Sequence, residues 1–152
     1  MNFLKVIVLI FSILSVLLKS VHSDLQFQRG IYDGGYYIES IRMMNWFEAS
    51  HECARMGMKL VEIQNYNKHS DVTTALLLNI GDRGTFWIGA NDEYKSTSIN
   101  RPFYWSSGDP VTFTYWMWDE PNNTGGNQHC ITIDSLVWND KDCTENYGFI
   151  CE

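Results

Sequence analysis

Apolar and polar positions divide the chain into four regions. Between Val6 and Leu18 the residues are apolar, softened only by serines, with Lys5 just upstream. That run is too short for a membrane-spanning helix, and Val21 and Ser23 satisfy the small-residue rule for cleavage. Residues 1–23 therefore read as a secretory signal peptide, and residues 24–152 as the mature chain. An uncleaved anchor is the alternative, but no stop-transfer flank follows the run. The second region mixes two periodicities. "YYIES" (Tyr36–Ser40) is a short β-like run. "NWFEASHECARMGMKL" predicts a helix: Asn45 can cap it, Glu48 follows three residues later, and Gly57 can stop it. Trp46, Ala49, Cys53 and Met56 would share its apolar face. "LVEI" (Leu60–Ile63) predicts a strand, "NKHSDVTTALLLNIG" a second helix ending at Gly81, and "TFWIGA" (Thr85–Ala90) a buried strand with Trp87 and Ile88 in the core.

The third region, Asn91 to Asn127, is polar, aromatic and turn-rich, with "FYW" (Phe103–Trp105) as a possible strand. A stretch of this length without regular structure suits a functional loop better than a plain connection. In the last region "HCITID", "LVWND" and "YGFICE" alternate as the strands of an antiparallel sheet do. Helices first and strands later give an α+β class. No internal repeat or low-complexity segment interrupts the pattern.

Composition narrows the function. The 129 residues after the signal suffice for one domain with a real core. They carry 9 basic and 18 acidic residues, a formal charge of −9. Such a surface disfavours nucleic acid and anionic membranes as partners and is compatible with binding a cation. All four cysteines (Cys53, Cys130, Cys143, Cys151) lie in the mature part. An even count in a secreted chain implies two disulfides, with three pairings open. Zinc is the rival, but no CxxC or HxxxH spacing supports it. With the cysteines oxidised and no Ser/His/Asp arrangement in context, the chain is expected not to be an enzyme. His51, His69 and His129 read as solvated side chains.

The candidate chemistry lies in "EPNNTGGNQHCITIDSLVWND", residues 120–140. Glu120, Asn122, Gln128, Asn139 and Asp140 all offer side-chain oxygens, the donors a hard cation prefers. The blander reading makes "EPN" a turn and "WND" a strand end with Trp138 in the core.

Taken together, the helix with Trp46 and Cys53, "WIGA" at 87–90, "EPN" at 120–122, "WND" at 138–140 and the cysteine spacing resemble a C-type lectin domain over essentially the whole mature chain. The resemblance implies a C-type lectin-like fold with two helices, small antiparallel sheets and a long irregular calcium- and sugar-binding loop region. It implies disulfides Cys53–Cys151 and Cys130–Cys143, and a cis Glu120–Pro121 bond. It also implies Ca2+ held by Glu120, Asn122, Gln128, Asn139 and Asp140, with the same five residues meeting the sugar. The Glu-then-Asn order of "EPN" resembles the mannose-type pattern, so mannose-type glycans are the expected partner. A lectin-fold module that binds protein, with calcium use weakened or lost, is the alternative. Gln128 keeps it open, because mannose-type members carry Glu there. Trp118-Asp119 replaces the Pro-Gly usual before "EPN". Trp118 could offer a platform for a sugar ring, although packing onto the domain is the commoner fate of such a Trp. Asp92 and Asn123 fall where an auxiliary calcium site could begin, but Ser96 stands where an acid would be wanted. Asn122-Asn123-Thr124 is a glycosylation sequon. A glycan on Asn122 would remove a ligand, so Asn122 is expected to be unmodified.

Overall fold

The structure, a computed structural model, describes Ile13 and residues 27–29, 35–93 and 102–152, with residues 27–29 as backbone only. The expected signal peptide, Ile13 apart, and Ser96 lie outside the described residues. Both helices form where the caps allow. Helix α1 (Trp46–Arg55) opens on a capping box: Glu48 N donates to Asn45 Oδ1 (2.9 Å) and Asn45 N donates to the Glu48 carboxylate (3.2 Å). It buries Trp46, Ala49 and Cys53. Helix α2 (Tyr66–Ile80) is capped by Asn65, which accepts from Lys68 N at 2.9 Å, and ends at Gly81 with φ 79°. It buries Val72, Ala75 and Leu76, so the two helices cover different parts of the core.

The strands join in a seven-stranded sheet rather than separate small ones. They are β1 (Phe27–Arg29), β2 (Gly35–Met44), β3 (Thr85–Asn91), β4 (Tyr104–Trp105), β5 (Gln128–Asp134), β6 (Val137–Asp142) and β7 (Tyr147–Cys151). The order is β1-β2-β7-β3-β5-β6, with β4 beside β3. All pairs are antiparallel except β3 with β7, which makes the sheet mixed. Strands therefore both precede and follow the helices, within the expected α+β class.

Two departures from the sequence pattern have physical causes. Strand β2 runs past Ser40 because it follows β7 across a bulge between Glu39 and Met44. The buried Glu39 carboxylate holds that bulge, accepting from Ile41 N and Arg42 N (3.1 Å each), Arg42 Nε (2.7 Å) and Tyr37 OH (2.8 Å). Leu60–Ile63 is buried but is not a strand; it makes a single bridge, Leu60 to Cys151. Its backbone is shared between two strands: Val61 N donates to Ile150 O and Gly89 N donates to Val61 O. That close crossing requires Gly89, where a Cβ would sit 2.7 Å from Leu60 O.

Alternation along β3 splits the core. Trp87 lies with Cys53, Leu60, Phe149 and Cys151, while Phe86, Ile88 and Ala90 lie with Ile131, Ile133 and Trp138. Disulfides join Cys53 to Cys151 and Cys130 to Cys143, as the resemblance implies. The first ties α1 to the last strand, and the second clamps the start of β5 to the end of β6. By the chain-entropy account each contributes about 3 to 5 kcal/mol, more for the longer loop.

His69 is not solvated. It is 4% exposed in α2, with its ring 4.1 Å from that of Tyr115 and near Phe113 and Trp138. Burial pushes its pKa down to about 4. In the unfolded chain the imidazole takes up its proton near pH 6.5, so the neutral-His contribution is complete above that value. It should fall as pH drops from 6.5 and be gone below about 4, a loss of at most about 3 kcal/mol. Urea unfolding of wild type and His69→Leu at several pH values measures this. The difference between them should change across that window and stay flat from pH 7 to 8.

Candidate functional site

The long connection after β4 is irregular but pinned. Trp138 N donates to Tyr115 O and Met117 N donates to Trp138 O, both at 2.8 Å, so the segment bridges β6 in parallel fashion at Trp116. The buried Trp138 indole gathers the aromatic residues of this segment, with Phe113 at 5.8 Å and Trp116 at 5.7 Å between ring centroids. Beyond that anchor the chain makes a tight turn in which Glu120 N donates to Met117 O (3.1 Å). Trp118 and Asp119 form its tip, and Asp119 has φ 68°. A positive φ at that place suits the usual glycine and is tolerated by Asp.

The next residues bring the predicted ligands together. The Glu120–Pro121 bond is cis. Asn122 N donates to both Glu120 Oε2 and Asp140 Oδ1 at 3.1 Å, and Asn122 Nδ2 donates to Glu120 Oε1 at 3.0 Å. Asn123, in the left-handed region with φ 48°, donates through its N to Asp140 Oδ2 at 3.0 Å and accepts from Gln128 N at 2.9 Å. Asp140 is 0% exposed, so a buried carboxylate of β6 holds the "EPN" loop by two backbone N–H groups. Thr124 closes the ring: its N donates to Asn122 Oδ1 (2.9 Å) and Gln128 Oε1 (2.7 Å), and its hydroxyl donates to Asn122 Oδ1 (2.5 Å).

Glu120, Asn122, Gln128 and Asp140 thus form one hydrogen-bonded cluster. Asn139, the neighbour of Asp140 on β6, is 7% exposed, and its Oδ1 is buried without a hydrogen-bond partner. A buried acceptor without a donor is costly and rare in a native structure. Burial first, and then the Asp140 carboxyl hydrogen-bonded beside it, raise the Glu120 carboxyl above the ordinary carboxylate range. Two adjacent carboxyls and an unmatched amide oxygen fit a hard, oxygen-preferring cation, and calcium's flexible shell tolerates such a mixed set. Among the described residues no three His, Cys, Asp or Glu side chains converge, so any cation here would draw on the amide oxygens as well as on the two carboxyls.

Several residues depart from the sequence reading. Trp118 does not pack on the domain; it is 91% exposed. His129 is partly buried rather than solvated, with Nδ1 2.7 Å from Asp92 Oδ1, while His51 is exposed as expected. Asp92 is itself 0% exposed and engaged by His129, and Asn123 Oδ1 accepts from Gln128 N, so both groups named for an auxiliary site have other partners. Thr124 was not anticipated. Its signal was the Asn-x-Thr spacing, which suits a turn closed by short polar side chains as well as a glycosylation sequon.

Comparison with known proteins agrees with the fold. The family model described as the Lectin C-type domain matches residues 42–152. The chain is 35% identical over 148 residues to "Lectin subunit alpha" of Sarcophaga peregrina, covering 93% of this chain and 52% of that protein. It thus spans about half the length of that relative. The carbohydrate-recognition domain of cow CD23, solved in the presence of a GlcNAc2Man3 oligosaccharide, aligns with TM-score 0.65 and 25% identity over 77% of this chain and 84% of that one. A calcium-independent type II antifreeze protein also shares the fold, at TM-score 0.65 and 21% identity over 83% of this chain and 89% of its own. The fold by itself therefore does not select a ligand.

The hydrogen-bond geometry makes its own prediction. Removing the Asp140 carboxylate takes away both acceptors that hold the Asn122 and Asn123 N–H groups. In Asp140→Ala the amides of those two residues should exchange with solvent at least about tenfold faster, given 1.5–3 kcal/mol for a hydrogen bond to a charged group. Exchange at core amides such as Trp138 should change far less. Amide hydrogen exchange followed by NMR measures both.

Proposed function

On the premise that this chain belongs to the C-type lectin domain family, we propose that it is a secreted, calcium-dependent carbohydrate-binding protein that takes mannose-type glycans. The observation that carries the calcium part is the pairing of the Glu120 and Asp140 carboxyls, together with a buried, unmatched Oδ1 on Asn139, the residue next to Asp140 on β6. Secretion rests on the signal-like residues 1–23, and among the described residues no helix is long and apolar enough to cross a membrane. The mannose preference rests on the Glu-then-Asn order at 120 and 122.

In this reading Glu120, Asn122, Gln128, Asn139 and Asp140 hold the ion. Bound calcium would supply open coordination positions for two vicinal sugar hydroxyls. The side chains divide the remaining work by exposure. Asp140 is fully buried and holds the loop, so it serves the ion and the fold. Glu120, Asn122 and Gln128 are more open and flank the place where a sugar would lie. A carboxylate there accepts from a hydroxyl, while an amide NH2 donates to one, and Gln128 adds a donor where mannose-type members carry an acceptor.

The test is retention on immobilised mannan with and without EDTA. Replacing Asn139 and Asp140 together by Ala should abolish EDTA-sensitive retention and leave far-UV circular dichroism nearly unchanged. Methyl α-mannoside should elute the wild type at lower concentration than galactose. Retention surviving in the double variant would place the sugar site elsewhere.

The missing charge at position 128 gives a second prediction. Gln128→Glu keeps the acceptor for Thr124 N and adds a carboxylate without changing length. Calcium affinity should rise roughly tenfold, equivalent to about 1.4 kcal/mol. Calorimetric calcium titration of both forms at one ionic strength measures it. Unchanged affinity would remove position 128 from the ligand set and favour a protein-binding module.

A further inference from the structure

We propose that Trp118 is a second sugar-contacting element, a stacking face for the glycan residue next to the one held at the Glu120–Asn122 cluster; this rests on the carbohydrate reading above. Of the six tryptophans, Trp46, Trp87, Trp105 and Trp138 are at most 7% exposed and Trp116 is partly buried, whereas Trp118 is 91% exposed. A scattered surface apolar residue needs no explanation, but this one is not placed at random. It stands two residues before Glu120, so its Cα lies within about 7 Å of the Glu120 Cα.

The turn that carries it is fixed at both ends. Met117 N is bound to Trp138 O, and Glu120 N is bound to Met117 O. Asp119 at φ 68° completes the reversal, so the indole projects from the tip of a short, pinned loop. Pinning the backbone of the turn before the ligand arrives removes part of the ordering cost of binding. An indole offers a broad apolar face, and the C–H face of a pyranose is the neutral apolar surface that matches it.

Charge selects the occupant. Asp119 and Glu120 lie in the turn, the buried Asp140 holds the Asn122 and Asn123 amides just after it, and the whole chain carries a formal charge of −7. Such surroundings disfavour an anionic lipid surface and suit an uncharged saccharide. Trp118 then reads the second residue of a glycan while the ion-binding cluster reads the first. The consequence is a preference for oligosaccharides over single sugars within one domain.

The experiment uses the full mature chain in calcium, with calorimetry of methyl α-mannoside and of an α-linked mannotriose. Wild type should bind mannotriose about tenfold more tightly than the monosaccharide, in line with the worth of one aromatic contact. Trp118→Ala should bring that ratio within about twofold while leaving methyl mannoside and calcium affinities unchanged, and Trp118→Tyr should keep most of it. Iodide quenching adds a readout that a purely structural role would not move. Mannotriose should shield wild-type fluorescence from iodide, and Trp118→Phe should show no such shielding.

An unchanged ratio in Trp118→Ala overturns the proposal. So does a parallel loss for both sugars, which would place Trp118 in the primary site or in support of the turn. Capture of wild type but not Trp118→Ala by phosphatidylcholine vesicles, without the oligosaccharide preference, would assign the ring to a membrane instead. Wild type that binds neither sugar in calcium would defeat the carbohydrate reading itself and this proposal with it. Wild type that binds methyl mannoside in calcium but shows no preference for mannotriose would defeat the proposal alone.

Discussion

The irregular half of this domain is organised around the indole of Trp138. The side chain is fully buried, and Trp105, Phe113 and Trp116 meet it edge-on with ring centroids 5.7–5.9 Å away. Its backbone is used as well, since its N–H and C=O both bond to the Tyr115–Met117 segment. β6 is the last strand in the sheet order, so this segment also covers what would otherwise be an open edge. The next two residues on the strand are Asn139 and Asp140. One buried aromatic residue therefore fixes the loop that carries Glu120 and Asn122 relative to the strand that carries Asn139 and Asp140. Truncating a buried Trp typically costs about 3–5 kcal/mol, a large share of the stability of a domain this size. The indole Nε1 is buried without a partner, so its hold comes from packing rather than from a hydrogen bond.

That dependence explains what was legible in the sequence. Local signals were read correctly. Asn45 and Glu48 form the expected capping box, Trp46, Ala49 and Cys53 face inward, and Trp87 and Ile88 are buried on β3. That Glu120, Asn122, Gln128 and Asp140 come together was legible because the resemblance brings those positions together, although position 128 carries Gln where mannose-type members carry Glu. What escaped was set by contacts distant in sequence. Leu60–Ile63 has strand-like residues but divides its hydrogen bonds between two different strands. His69 carries a polar ring in a helix whose pattern gives no hint that Tyr115, some 46 positions away, will cover it. Trp118 is the reverse case, a residue whose type predicts burial but whose turn holds it out in solvent.

The buried carboxylates separate structure from chemistry. Glu39 and Asp140 are equally hidden, at 1% and 0% exposure. Burial alone would raise the Glu39 pKa, but the Arg42 backbone and guanidinium, with Ile41 N and Tyr37 OH, hold it below the ordinary range. Its charge is matched within the fold and leaves nothing for a ligand to supply. Asp140 accepts from the backbone N–H groups of Asn122 and Asn123, and the Glu120 carboxyl beside it is pushed the other way. A second carboxyl brought beside a buried one raises the energy of the fully ionised pair. That energy is relieved by a proton or by a cation. The neighbouring Asn139 Oδ1 is in addition a buried acceptor without a donor, a group that the fold itself does not match. The Asp140 site therefore keeps a raised carboxyl and an unmatched acceptor that the Glu39 network does not have.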